Sequence, residues 1–438
     1  MIQHMVSYLF HPVGQGLFGS GHLWNRRTPG RAFNWVYDCG SISSGNLDKR
    51  SVQSLATSMG MGSTSRPYLD LLVLSHFDRD HISGVAALLS RFRVGNLVIP
   101  LVPLWQRLAL LFESQRYVPK AELLLYLHPV RAIAGIPGAE IDRIILIPPA
   151  GGEGPSPEGD GIPTLDLGPM DPDAARSRQV FSEGVYESPE LEKTFPESGD
   201  FGVSSTHSDL DGHPRVVVLR QGARLALPGV WEFVPYNDAA LFKPKMRSFL
   251  AQAESMRRHL VQASGEISAS SILSSLKRHY ERRFRSSRER NLISLFLYSG
   301  SDLGHRQCWC GCGSVPPRWS AGLAPMTNIC FGCERRASML YTGDGYLNTQ
   351  QRWEALRNYL HASRAERPLG FQVMHHGARA NWHKGLAADI QPAISVFSSD
   401  PAHRKFNHPN QPVLADFRAI GATALADRHR GVAFTACF

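Results

Sequence analysis

The stretch YLDLLVLS, residues 68–75, is an apolar run with the length of a buried strand. ISGVAALLSRF (82–92) follows with helical spacing of its apolar residues, and GNLVIP (95–100) reads as the next strand. A strand, a helix and a strand in that order predict a β-α-β unit, which requires a layered α/β architecture with helices packed on a sheet. The alternation recurs near the other end of the chain. Strands are expected at 293–300 and 338–344, a helix at 347–363, a strand at 370–376, a helix at 384–389, a strand at 393–399, a helix at 411–419 and two final strands. The first 40 residues read as three strands rich in aromatic and β-branched residues and punctuated by glycine. Helical stretches are expected near 46–59 and 103–133, and strands at RIILIPP (143–149), PRVVVLR and GVWEFVPY.

The chain has 438 residues, 43% of them hydrophobic, enough for a large core. We read one layered domain over 1–438 with three insertions. Residues 150–213 are rich in Gly, Pro and acids and are expected as an exposed loop. Residues 243–290 form a basic helical insertion, and 305–336 a cysteine-rich one. No apolar run approaches the ~18 residues of a membrane span. The N-terminus lacks the pattern of a signal peptide, so the expected location is cytoplasmic and no membrane partner is expected.

Directly after the first buried strand come His76, Asp78, Asp80 and His81, within SHFDRDHISG. One reading is a polar turn behind a strand. The other is a metal site, because imidazole and carboxylate at this density are the donor set of Zn²⁺ or Mn²⁺. Three more expected strands end in the same residue types: YTGDG places Asp344, VMHHG places His375 and His376, and NHPNQ places His408. A single such histidine is more commonly a satisfied core residue. Four sites at the C-terminal ends of strands converge on one edge of a layered sheet, where ligands collect in α/β folds. Two ions about 3.5–4 Å apart would produce a nucleophilic hydroxide at neutral pH.

The order of these motifs resembles the metallo-β-lactamase superfamily, above all the branch with the metallo-hydrolase domain of ComEC-type DNA-uptake proteins and bacterial phosphorylcholine esterases. HPVGQG (11–16), NWVYDCGS with Asp38, SHFDRDHISG, RNLISLFL with Asn291 and Ser294, YTGD, VMHHG and the late HP carry the resemblance. It implies a four-layer αβ/βα sandwich and two active-site Zn²⁺ or Mn²⁺ ions. By analogy one ion takes His76, Asp78 and His376, the other takes Asp80, His81 and His408, and Asp344 bridges them. Asp80 and Asp344 would be essential to catalysis, His375 would donate a proton or hold a substrate oxygen, and Asp38 would orient a ligand histidine. The wider superfamily has His where this chain has Asp78, and a further His before Asp344. His207 is the one candidate for the latter, and the extra carboxylate brings Mn²⁺ into competition with Zn²⁺. Leu17 and Ala378 also depart from the branch, at positions that bear on the substrate. VGQG, YDCGS and HFDRDH are also similar to the metallo-β-lactamase-fold component of some bacterial anti-phage operons, where a protein partner is implied.

Two segments outside the resemblance carry chemistry of their own. Five of the seven cysteines, Cys308, Cys310, Cys312, Cys330 and Cys333, cluster within the third insertion. Thiolates at short paired spacings suit one structural Zn²⁺, with His305 as a substitute ligand and a redox role as the alternative. The insertion 243–290 holds 12 Lys/Arg against four Glu, most of the chain's net charge of +9. Its arginines, including Arg278, Arg282, Arg283, Arg285 and Arg288, form a candidate surface for a phosphate backbone, or equally for an acidic protein partner. The leading expectation is a metal-dependent phosphodiesterase, most simply a nuclease. The alternatives are a hydrolase of another bond (small phosphodiester, lactone, thioester or peptide) and a metal-holding scaffold without turnover.

Overall fold

The computed structural model describes residues 4–26, 32–60, 65–102, 125–151, 162–168, 215–238, 294–302, 336–403 and 405–438, with a few residues between these stretches. The cysteine-rich segment, His207, Asn291 and all of the named arginines except Arg278 lie outside them.

The strands are β1 (His4–Phe10), β2 (Gly19–Asn25), β3 (Ala32–Tyr37), β4 (Tyr68–Val73), β5 (Arg93–Pro100), β6 (Glu140–Ile147), β7 (Thr164–Asp166) and β8 (Arg215–Val218). They continue with β9 (Arg224–Leu227), β10 (Trp231–Asn237), β11 (Leu295–Ser301), β12 (Arg336–Tyr341), β13 (Pro368–Gln372), β14 (Ile394–Ser398), β15 (Ala422–Ala426) and β16 (Val432–Cys437). Two eight-stranded sheets result. One has the order β16-β1-β2-β3-β4-β5-β6-β8 and the other β15-β14-β13-β12-β11-β10-β9-β7. Both are mixed. Strands β3 to β6 and β8 run parallel, as do β12 to β15, while the hairpin strands β1, β2, β10 and β11 pair antiparallel.

Three apolar layers hold the sheets. Between them lie Tyr8, Trp35, Tyr37, Leu71 and Val73 of the first sheet and Trp231, Phe233, Leu297, Met339 and Tyr341 of the second. Outside the first sheet pack helices α1 (Leu47–Gly60), α2 (Arg79–Ile82), α3 (Val85–Arg91) and α4 (Pro129–Ala134), of which α1, α3 and α4 place Val52, Leu55, Leu88, Leu89, Val130 and Ile133 against Leu72, Leu97 and Ile144. Outside the second sheet lie α5 (Gln350–Leu360), α6 (Ala362–Ala365), α7 (Leu386–Ile390) and α8 (Gln411–Arg418), which contribute Trp353, Leu356, Ile390 and Phe417. Helices therefore cover the outer face of each sheet, and the parallel strands are apolar on both faces, as continuous hydrophobic runs demand. Among the described residues no helix is long and apolar enough to cross a membrane.

Some expectations need correction. The helix expected at 82–92 begins only at Val85, after a short helix at Arg79–Ile82, with Ser83 and Gly84 between them. The insertion expected as an exposed loop contains β7, which pairs with β9 and buries Leu165 and Leu167 between the sheets. Three residues of alternation are too few to register as a strand against the surrounding Gly and Pro. Strand β9 escaped for the same reason.

Candidate metal centre

The parallel strands of the two sheets end at one place. From the first sheet, β3 leads into Asp38, and β4 leads through Leu74 and Ser75 into His76, Asp78, Asp80 and His81. From the second, β12 leads into Asp344, β13 into His375 and His376, and β14 toward His408. All of these were expected at strand ends, and all of them meet there through ring or charge contacts, Asp38 through His81.

Asp344 is the hub. Its Oδ1 lies 3.0 Å from His81 Nε2 and 3.9 Å from His376 Nε2, and its Oδ2 lies 3.5 Å from His375 Nε2 and 3.8 Å from His76 Nε2. Asp80 Oδ2 completes the first group, 3.2 Å from His376 Nε2, and Asp78 Oδ2 the second, 3.7 Å from His76 Nε2. Asp80, His81, Asp344 and His376 each offer a ligand atom, all within 4.8 Å of one another.

The division of ligands differs from the analogy. His376 stands with Asp80 and His81 rather than with His76 and Asp78, and His375 takes the place beside His76. His375 and His376 both have left-handed φ (47° and 58°), and their Nε2 atoms approach different oxygens of Asp344, Oδ2 and Oδ1. His408 stays outside both groups. Its ring stacks on His376 at 6.3 Å, and its Nδ1 lies 3.5 Å from the Gln15 amide nitrogen.

Each inner imidazole is fixed through its Nδ1. His81 Nδ1 donates to Asp38 Oδ2 at 2.8 Å, His376 Nδ1 donates to the Ser398 carbonyl at 2.6 Å, and His76 Nδ1 donates to Ser75 Oγ at 2.9 Å. Ser75 in turn donates from Oγ to Asp38 Oδ2 at 2.6 Å and from its backbone N–H to Asp38 Oδ1 at 2.7 Å. This leaves the Nε2 atoms facing Asp344, and those of His76 and His81, with Asp344 Oδ1, are buried without a hydrogen-bond partner. Buried polar atoms are rarely left so. Imidazoles held through one nitrogen and free at the other are the usual form of histidine metal ligands. Two atoms each about 2.1 Å from a shared tetrahedral ion lie about 3.4 Å apart, within the range of separations seen here. The donor set of Asp80, His81, Asp344 and His376 therefore fits a divalent cation.

The charges point the same way. Burial, reinforced by Asp80 and Asp344, pushes the Asp78 carboxyl up to about 7. Burial acts upward on Asp344 too, but His375, His81 and His376 outweigh it and hold the group well below the usual carboxylate range. Burial lowers His81, yet Asp344 and Asp38 on its two sides raise it well above an ordinary imidazole. At His76 burial and the neighbouring His81 outweigh Asp344 and Asp80, and the group falls to about 3. Three carboxylates crowded in a buried cleft are satisfied either by protons on the histidines or by cations, and a cation serves every carboxylate at once. The cleft opens at Asp78, Asp80 and His375, whose side chains are 15%, 18% and 24% exposed.

Several supporting residues carried no assigned role in the sequence. Ser75 is one. Gln372 is another: its Oε1 accepts from the backbone N–H groups of Thr342 and Gly343 at 2.8 and 2.7 Å, fixing the Asp344 turn. Ser294 Oγ accepts from Asp344 N at 3.0 Å, and Asn381 Nδ2 donates to the Asp344 carbonyl at 2.9 Å. Tyr126 donates to the Phe77 carbonyl at 3.0 Å. Of these Ser294 and Ser75 stood in motifs quoted for the resemblance, without a role, and Gln372, Asn381 and Tyr126 were not singled out. Arg278 is exposed, beside Ser275 Oγ at 3.4 Å. No protein-family profile matches this chain, and no curated protein matches it either.

Proposed function

We propose that this chain is a metal-dependent hydrolase of the metallo-β-lactamase superfamily and that its substrate is a phosphodiester, most simply of a nucleic acid. The observation that carries this reading is the set of three imidazoles whose Nδ1 atoms are tied back and whose Nε2 atoms converge on Asp344. The helix-covered pair of sheets and the position of the cleft at the ends of parallel strands support it.

Two divalent ions bound there, Zn²⁺ or Mn²⁺, would supply Lewis acidity and an activated nucleophile. His76, Asp78 and His375 would hold one, Asp80, His81 and His376 the other, and Asp344 would serve both. Asp38 keeps His81 in the tautomer that frees Nε2, and Ser75 does the same for His76. His375, the more exposed of the paired histidines, would hold its ion at the exposed side of the cleft. The basic insertion and its arginines would guide a polyanionic substrate, and the clustered cysteines would hold a structural Zn²⁺.

The test combines elemental analysis with cleavage of labelled DNA and RNA, single-stranded and duplex, in Mn²⁺ or Zn²⁺. Asp80→Asn is expected to abolish cleavage and lower metal content while the far-UV circular dichroism stays unchanged. Full activity in that variant would sink the reading. Metal-replete protein that cleaves no nucleic acid would move the activity to another bond.

A further inference from the structure

A ladder of rings leads outward from the candidate metal centre. His376 stacks with His408 at 6.3 Å and 23°, His408 stacks with Phe406 at 5.9 Å and 27°, and His403 lies tilted against Phe406 at 5.1 Å and 31°. His376 is buried, the next three rings are half-buried, and Lys405, exposed, places its Nζ 5.1 Å from the Phe406 ring centroid. The segment bearing these rings is tied down at both ends. Buried Asp400 accepts from Arg428, receives the Ala402 N–H at 3.1 Å, and donates its own N–H to Gln15 at 3.4 Å. At the other end Asn410 N donates to the Gly377 carbonyl at 3.0 Å, next to His376, and Asn410 Oδ1 accepts from Arg379 N at 2.8 Å. A polar cleft that served only small, hydrated anions would have no use for an anchored run of half-buried rings at its rim.

We infer that the lip formed by His403, Lys405, Phe406 and His408 is a stacking platform for a nucleobase next to the phosphate being cleaved, so that the substrate is single-stranded. The inference rests on the phosphodiesterase reading for the position of that phosphate. Aromatic rings beside a cation are the combination that grips unpaired nucleotides, since every base offers a π-face and every linkage a charge. A base can reach such a platform only when it is not stacked inside a duplex. Lys405 would meet the neighbouring phosphate, and Phe406 with His403 would meet the base.

The experiment titrates the protein with short fluorescent single strands carrying phosphorothioate linkages, which resist cleavage. One strand bears bases, a second is abasic, and a duplex is the third probe. Wild type should bind the base-bearing strand about tenfold more tightly than the abasic one. Phe406→Leu, which keeps the apolar volume, should remove most of that difference, and Phe406→Trp should preserve it. Equal affinity for base-bearing and abasic strands, tighter binding of the duplex, or equal weakening of both strands by Phe406→Leu would overturn the inference. Cleavage of the corresponding natural strands is scored in parallel. Cleavage with no preference for bases would remove the platform and leave the phosphodiesterase. Base-dependent binding without cleavage in any metal would do the reverse.

Discussion

Asp38 shows how one side chain sets the state of others. Its carboxylate is buried and accepts three hydrogen bonds, two from Ser75 and one from His81. Asp38→Asn keeps the size but replaces one acceptor oxygen with a donor, so His81 loses the anion that fixes its tautomer. We expect metal affinity to fall about 10–100-fold with the fold intact, measured by competition with a chromophoric chelator. Unchanged affinity would mean that His81 is not held through Asp38. Asp70, away from the centre, gives a different prediction. Its Oδ2 accepts from Asn34 N at 2.8 Å, but burial dominates and pushes its carboxyl up to about 7. In the unfolded chain the group titrates near ~3.9. Between those values the native state binds the proton and the unfolded state does not, so Asp70 makes stability fall as pH rises from about 4 to about 7. Asp70→Asn should flatten that slope and make the variant the more stable protein at about pH 8, by up to a few kcal/mol, as read from urea unfolding across pH. A variant with the wild-type slope would show that Asp70 is ionised in the native state.

At the scale of elements, the turns matter more than the strands. Gly343, in the turn after β12, has φ +52°, and a Cβ there would lie 2.3 Å from Ser294 Oγ and 2.8 Å from Ser75 Oγ. Both hydroxyls position site residues, Ser294 through the Asp344 N–H and Ser75 through His76 and Asp38. Gly343→Ala should therefore cost about 1–3 kcal/mol of stability and also impair metal binding, which a denaturant titration and a metal assay on the same sample would show together. Normal metal binding in a destabilised variant would separate the turn from the site. The same contrast between strands and turns explains what was legible in the sequence. Long apolar runs such as 68–75 and 393–399 announce strands because burial on both faces leaves no other composition. The convergence of the His and Asp residues was legible because several such runs end in them, which a lone satisfied histidine would not produce. The turns that aim them were not. Nothing local in HHG tells which of His375 and His376 points to which oxygen of Asp344; both take left-handed φ in a turn where Gly343 O accepts the His375 N–H. His408, given a ligand place by the resemblance, has its Nδ1 beside Gln15, from a loop almost four hundred residues earlier in the chain.

At the scale of the whole molecule, the centre lies on the seam between the two sheets. Asp38, His76, Asp78, Asp80 and His81 come from the first sheet, and Asp344, His375 and His376 from the second. Shared ions would thus cross-link two halves that otherwise meet through the apolar layer between them. Removing the ions would leave three carboxylates facing one another across that seam, with Asp78 already pushed up to about 7 by burial and by its neighbours. Chelation should therefore destabilise both sheets together rather than loosen one loop. A ligand present at about a thousand times its dissociation constant stabilises the folded state by about 4 kcal/mol. The expected result is one cooperative melting transition that moves to lower temperature on chelation and returns when Zn²⁺ or Mn²⁺ is restored. Hydrogen exchange should quicken at the C-terminal ends of β4 and β13 alike. If exchange quickens after β4 alone, the ions do not span the seam, and Asp344 is not the shared ligand its two faces imply.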